Sequence, residues 1–138
     1  MQSDKGVHEK NGVMKNLICL LFLVFLQFGV SAQNYSFKNL VGYWKSGDGG
    51  AIEVIDSSKI FIVYGDEKKK IVSYRADFSK NPCWFDFDIK DSTQSLSLKS
   101  LLLFVNNDLL QWQVFDDGIR PPNFNSEKGD IVYLRRNR

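Results

Sequence analysis

Asp86, Asp88, Cys83 and Arg120 are the residues whose types and spacing could do chemistry in this chain. Asp86 and Asp88 alternate within Cys83-Trp84-Phe85-Asp86-Phe87-Asp88-Ile89, so on a strand they share one face about 7 Å apart. Such a pair could serve as acid and base in a hydrolase, or as ligands to a hard cation. Calcium sites gather more oxygens from a single loop, and this sequence has no such loop. Nothing marks a substrate cleft either. A strand with one wet side accounts for both aspartates, and that reading is preferred. Cys83 could be a nucleophile only with a base beside it. The single histidine, His8, lies upstream of a segment read below as removed. Its loss excludes Ser-His and Cys-His catalysis and histidine-ligated zinc. Cys83 is therefore expected to pack as a small hydrophobe. The expectation is a protein that is not an enzyme and uses neither metal nor cofactor, with a carboxylate-only hydrolase ranked last.

The segment that removes His8 is an export signal by composition. Met14-Lys15-Asn16 is a short positive start, Leu17 to Val30 is nearly all apolar, and Val30-Ser31-Ala32 supplies small residues where a signal peptidase cuts. The apolar run is shorter than the roughly 20 residues of a membrane span. Residues 1–32 are accordingly read as a signal peptide, with Met1 to Val13 either an upstream extension or a long polar start. Residues 33–138 are read as one domain, periplasmic or extracellular, with no stable membrane span after cleavage. Cys19 leaves with the signal, so Cys83 has no intrachain disulfide partner. Bulky Ile18 before Cys19, and an apolar run that follows it, argue against a lipid anchor there. Lys5, Lys10 and Lys15 leave together with Asp4 and Glu9, so the net charge of +2 falls by one. A balance so even is no footprint for nucleic acid.

What positions Asp86, Cys83 and Arg120 is a series of short strands. Tyr35 to Leu40 is expected to make one helical turn with Ser36 as its N-cap. Strands follow at Val41–Ser46, Ala51–Ile55, Lys59–Tyr64, Ile71–Ala76, Cys83–Ile89, Leu96–Val105, Asp108–Phe115 and Asp130–Arg135, with a break considered near Lys99-Ser100. Gly47-Asp48-Gly49-Gly50, Asp56-Ser57-Ser58, Gly65-Asp66-Glu67 and Asp116-Asp117-Gly118 read as turns. Asn106-Asn107 reads as a two-residue hairpin turn, because asparagine tolerates positive φ. The glycines at 47–50 lack the lysine and helix of a phosphate-binding loop. Lys68-Lys69-Lys70 reads as a solvated hairpin flank, and Arg120-Pro121-Pro122-Asn123-Phe124 as a stiff extended segment. About eight strands with tight turns and almost no helix predict an all-β, antiparallel, up-and-down barrel.

Two resemblances bear on that expectation. Gly42-x-Trp44 resembles the first-strand motif of lipocalin-like barrels, where a late arginine packs across the tryptophan; Arg135 or Arg136 is the candidate here. Asp77-x-Ser79-Lys80-Asn81-Pro82-x-Trp84-Phe85-Asp86-Phe87, Leu102-x-Phe104-x-x-x-Asp108-x-Leu110 and Arg120-Pro121-x-x-Phe124 are together similar to a family of small bacterial exported domains of unknown function. That family pairs a D-P-(S/T)-K-x-P segment with an R-P-x-x-F segment. This chain departs from it where Phe78 replaces a proline and Ser100 replaces a glycine. The resemblance implies a lipocalin-like fold and no activity.

A barrel of this size can enclose one small ligand, and the chain is rich in aromatics. The expected function is binding of a small apolar ligand in or at the mouth of the barrel. The alternative is an interaction or inhibitor domain for an envelope protein, using the loops at Asp77–Pro82 and Ile119–Phe124. Trp44, Asp77, Trp84, Trp112, Arg120 and Phe124 are the candidate ligand or partner rim. Within it, Arg120 is expected to reach Asp77 or Asp86, and Phe124 to cover one end of the barrel.

Overall fold

A computed structural model of the chain describes residues Asn34–Arg138. The signal segment expected over residues 1–32 lies outside them. One helical turn, α1 (Phe37–Leu40), precedes β1 (Gly42–Ser46), β2 (Gly50–Asp56), β3 (Lys59–Tyr64), β4 (Glu67–Asp77), β5 (Cys83–Lys90), β6 (Ser95–Asn106), β7 (Leu109–Phe115) and β8 (Val132–Asn137). Every neighbouring pair is antiparallel, and β8 returns to pair with β1, giving a closed up-and-down barrel of the lipocalin-like kind expected. Closure leaves no strand edge unpaired.

Alternation decides which side chains fill the interior. Phe85 and Phe87 point inward while Trp84, Asp86 and Asp88 face out, and Leu110 and Trp112 point inward from β7. The reading of β4 needs correction. A register shift between Ile71 and Ser73 turns Ile71 to the interior together with Tyr74 and Ala76, and leaves Val72 exposed. An inserted residue of this kind resets which face a strand presents. Strand β4 also begins at Glu67, so the three lysines pair along β3 within the ladder. Strand β6 runs unbroken through Lys99 and Ser100, and its irregularity falls between Phe104 and Asn106 instead. The turn after it uses Asn107 and Asp108. Asn106 accepts a hydrogen bond from the Asp108 N–H at 2.8 Å through its side chain, and no described residue other than glycine has a positive φ. The asparagines thus work through a side-chain acceptor rather than through left-handed backbone. The last strand starts two residues later than the sequence suggests.

One end of the barrel is shut. Trp44 is fully buried there, and its indole N–H donates to the Leu40 carbonyl at 2.8 Å. The guanidinium of Arg136, rather than of Arg135, lies 4.0 Å over the Trp44 ring. Its N–H groups reach the carbonyls of Val41, Asn39 and Asn107 at 2.6, 2.8 and 3.0 Å. A cation on an indole face, with carbonyls satisfying its edge, is favourable on both counts. Tyr35 stacks on Phe104 at 4.4 Å, and Phe78 packs on the same ring at 6.4 Å. The helical turn and the Asp77–Pro82 loop therefore plug the space above the first tryptophan.

Glycine at position 42 is required for that lock. Its φ is +140°, and a Cβ there would stand 2.6 Å from Arg136 Nη1. Gly42→Ala is expected to cost about 1–3 kcal/mol in urea unfolding, from backbone strain and displacement of the guanidinium. At Gly47 a Cβ would meet nothing within 4 Å, and φ is ordinary. Gly47→Ala is expected to stay within about 0.5 kcal/mol of the parent. Equal losses at the two glycines would refute the assignment.

Candidate functional site

The six residues singled out in the sequence occupy four separate places. Trp44 belongs to the shut end just described. Asp77 stays within its own turn, where the Ser79 hydroxyl and N–H hold its carboxyl below the usual range. Trp84, Arg120 and Phe124 belong to the outer wall. Trp112 alone reaches the open end.

The outer wall is organised by the long connection between β7 and β8. Outward positions of β6 and β7 should be wet, yet Leu101, Gln113 and Phe115 are all buried. The connection covers them, and Gln113 ties it down. Its amide donates to the carbonyls of Asn125 and Gly129 at 2.6 and 2.8 Å and accepts from the Asn125 N–H at 3.0 Å. Further along, the Arg120 guanidinium lies 4.0 Å over the Trp84 ring and pairs with Asp86, with both charged side chains largely shielded from solvent. Lys99 takes the other Asp86 oxygen at 2.9 Å. Of the two carboxylates considered for Arg120, Asp86 is thus the partner and Asp77 is not. The Asp77–Pro82 loop meets this cluster through Lys80, whose ammonium is 5.1 Å from the Trp84 ring. Phe124 is half-buried beside Asn125 on this outer strap and is not among the residues packed on the interior cluster.

The acid–base pair read from β5 is fully engaged by the fold. Asp86 serves Arg120 and Lys99, and Asp88 accepts from the hydroxyls of Ser73 and Ser97, which lower its pKa. Cys83 is buried, and burial pushes its thiol up. Among the described residues, no group of three or more His, Cys, Asp or Glu side chains could hold a metal ion, and no helix is long and apolar enough to cross a membrane.

The open end holds a cavity of about 300 Å³. Ile62 and Tyr64 of β3, Trp112 and Val114 of β7, and Val132 and Leu134 of β8 give it an apolar wall. Ser46, Asp48 and Gly50 at the β1–β2 turn, and Asp130 just before β8, add its polar groups. Trp112 is anchored by its indole N–H, which donates to Ser100 Oγ at 3.0 Å while Ser100 donates to the Phe85 carbonyl. Ser100 thus orients the cavity tryptophan. Asp48 accepts from the Ser46 hydroxyl and the Gly50 N–H, and both hold its carboxyl below the usual range. Sequence reasoning missed Tyr64, Asp48, Asp130 and the β8 valine. Tyr64 ends a run that is apolar on both faces, so alternation gave no sign that its ring stands at the mouth, 67% exposed.

Comparison with protein-family models, curated proteins and solved structures found no match. The geometry of the barrel therefore carries the functional argument alone.

A double-mutant cycle tests the outer-wall cluster. Arg120→Ala with Asp86→Ala is expected to show a coupling above about 1 kcal/mol in chemical unfolding. Arg120→Ala with Asp77→Ala is expected to be additive within about 0.5 kcal/mol. The reverse pattern would move the arginine's partner back to the Asp77 turn.

Proposed function

We propose that this chain is an exported, lipocalin-like binding protein that holds a small apolar ligand at the mouth of its barrel. The cavity at the open end supports this. Its volume, about 300 Å³, lies at the lower limit of ordinary ligand pockets. Deeper in the barrel, Phe85, Phe87, Phe104 and Leu110 fill the interior. The ligand is consequently small and seated high, between β3 on one side and β7 and β8 on the other. Export is supported by the positive start, apolar run and Ala32 boundary in the sequence.

A second reading, an interaction domain for an envelope protein, draws on a different observation. Ile119 is exposed next to Arg120, and Trp84 stays partly exposed under that guanidinium. Together they form a small apolar and cationic patch on the outer wall.

The neutral probe N-phenyl-1-naphthylamine tests the first reading. Saturable, micromolar fluorescence enhancement is expected for the parent, with at least a tenfold loss of affinity in Val114→Trp, which fills the cavity. Absence of binding, or binding indifferent to the filled cavity, would refute it. For export, the protein recovered outside the cytoplasm of a bacterial host is expected to begin at or near Gln33 by intact mass. A full-length cytoplasmic product would overturn that part.

A further inference from the structure

The polar groups of the mouth cavity have one sign. Asp48 and Asp130 are carboxylates, Ser46 is a hydroxyl, and no basic side chain among the described residues lines the space. Asp48 is fixed in direction by the donors it accepts from. Asp130 is set by the outer strap, because Gln113 holds the Gly129 carbonyl immediately before it. Lys69, whose backbone pairs with Ile62, sends its charge elsewhere. Its ammonium lies 3.6 Å from both Glu67 and Asp91, bridging two hairpins, and it does not line the cavity.

The same lining also carries two aromatic rings. Tyr64 projects from the interior side of β3 at the mouth, in register with Gly50 across the ladder, and Trp112 faces it from the β7 wall. Gly50 packs beside the tyrosine at the polar end of the lining, where a Cβ would stand 3.2 Å from Ser46 Oγ, 3.5 Å from Asp48 Oδ1 and 3.6 Å from the ring. Electron-rich rings and carboxylates around an apolar hollow complement a positive charge attached to an apolar body. They oppose a carboxylate or phosphate head, which would meet two negative charges and no donor other than hydroxyl and backbone groups.

We infer that the ligand is an organic ammonium ion, its apolar body lying against Ile62, Val114, Val132 and Leu134 and its charged head between Asp48, Asp130 and the Tyr64 ring. This inference rests on the mouth cavity being a ligand site, and it adds the chemical class of the occupant.

Three ten-carbon probes that differ only in the head separate the possibilities: decyltrimethylammonium, decanol and decanoate, each titrated calorimetrically below its micelle concentration. The ammonium is expected to bind at least tenfold more tightly than the alcohol, with the carboxylate weakest. Asp130→Asn, at an exposed position that holds no turn together, is expected to reduce the ammonium-to-alcohol ratio severalfold. The double variant Asp48→Asn, Asp130→Asn is expected to bring it close to one. A thermal melt of each variant checks that the barrel persists. Equal affinities for the three heads, preference for decanoate, or a ratio untouched by folded Asp130→Asn would overturn the inference. If the neutral naphthylamine probe binds in that case, the cavity reading survives and only the head is wrong. If neither it nor any decyl probe binds, the cavity reading falls as well.

Discussion

The contact between Arg136 and Trp44 holds the molecule together. It joins the last strand to the first across a cation–ring stack of 4.0 Å, and its donors reach the chain just before β1 and the β6–β7 turn. Three parts of the chain remote in sequence are thus tied at one point. The stack also sets which end of the barrel is shut. Trp44 and the aromatics above it occupy that end, and the mouth cavity lies at the other, lined in large part by β3, β7 and β8.

A second level of organisation lies on the outside. Small barrels usually leave the outer face of each strand to solvent. Here the middle of β6 and the end of β7 are covered on both faces, since Leu101, Gln113 and Phe115 are as buried as the interior residues. The strap achieves this with polar devices at two places, the Gln113 amide and the Arg120–Asp86 pair stacked on Trp84. A buried amide making three hydrogen bonds orients a loop more than it stabilises a fold, because its gains offset its desolvation. Breaking one such bond leaves a buried polar group unpaired, which is costly. The strap consequently has one preferred seat, and Asp130 at its end has one preferred position.

The barrel was legible in the sequence because its strands alternate and its turns carry Gly, Asp, Asn and Ser at short intervals. The faces of β5 and β7 followed from alternation alone, and the Gly42-x-Trp44 motif pointed to an arginine on the last strand. Alternation failed where the backbone breaks period two. At Ile71 the register shift moves a side chain to the other face, and no residue type in Ile71-Val72-Ser73 announces it. It failed again at Gln113 and Phe115. Burial there comes from a strap packed on the outside, which is a tertiary effect with no local signature. The candidate rim was scattered for the same reason. Trp84 and Arg120 do meet, but over an outward face of the wall, while the mouth is lined by Tyr64, Asp48 and Asp130, whose neighbourhood depends on strand register across the barrel.

The pairing of β1 with β8 also has a kinetic side. The carbonyls of Val41 and Asn39 that Arg136 engages are 95 and 97 residues away along the chain. Contacts of such separation form only after the loop-closure entropy of nearly the whole domain has been met. Until the final strand is available, β1 has one unpaired edge and Trp44 lacks its covering cation. A growing or threading chain therefore cannot acquire the native barrel piece by piece from its N-terminal side. It stays incomplete until β8 is in place, so closure of the barrel and capping of Trp44 by its cation are one late, shared event rather than two.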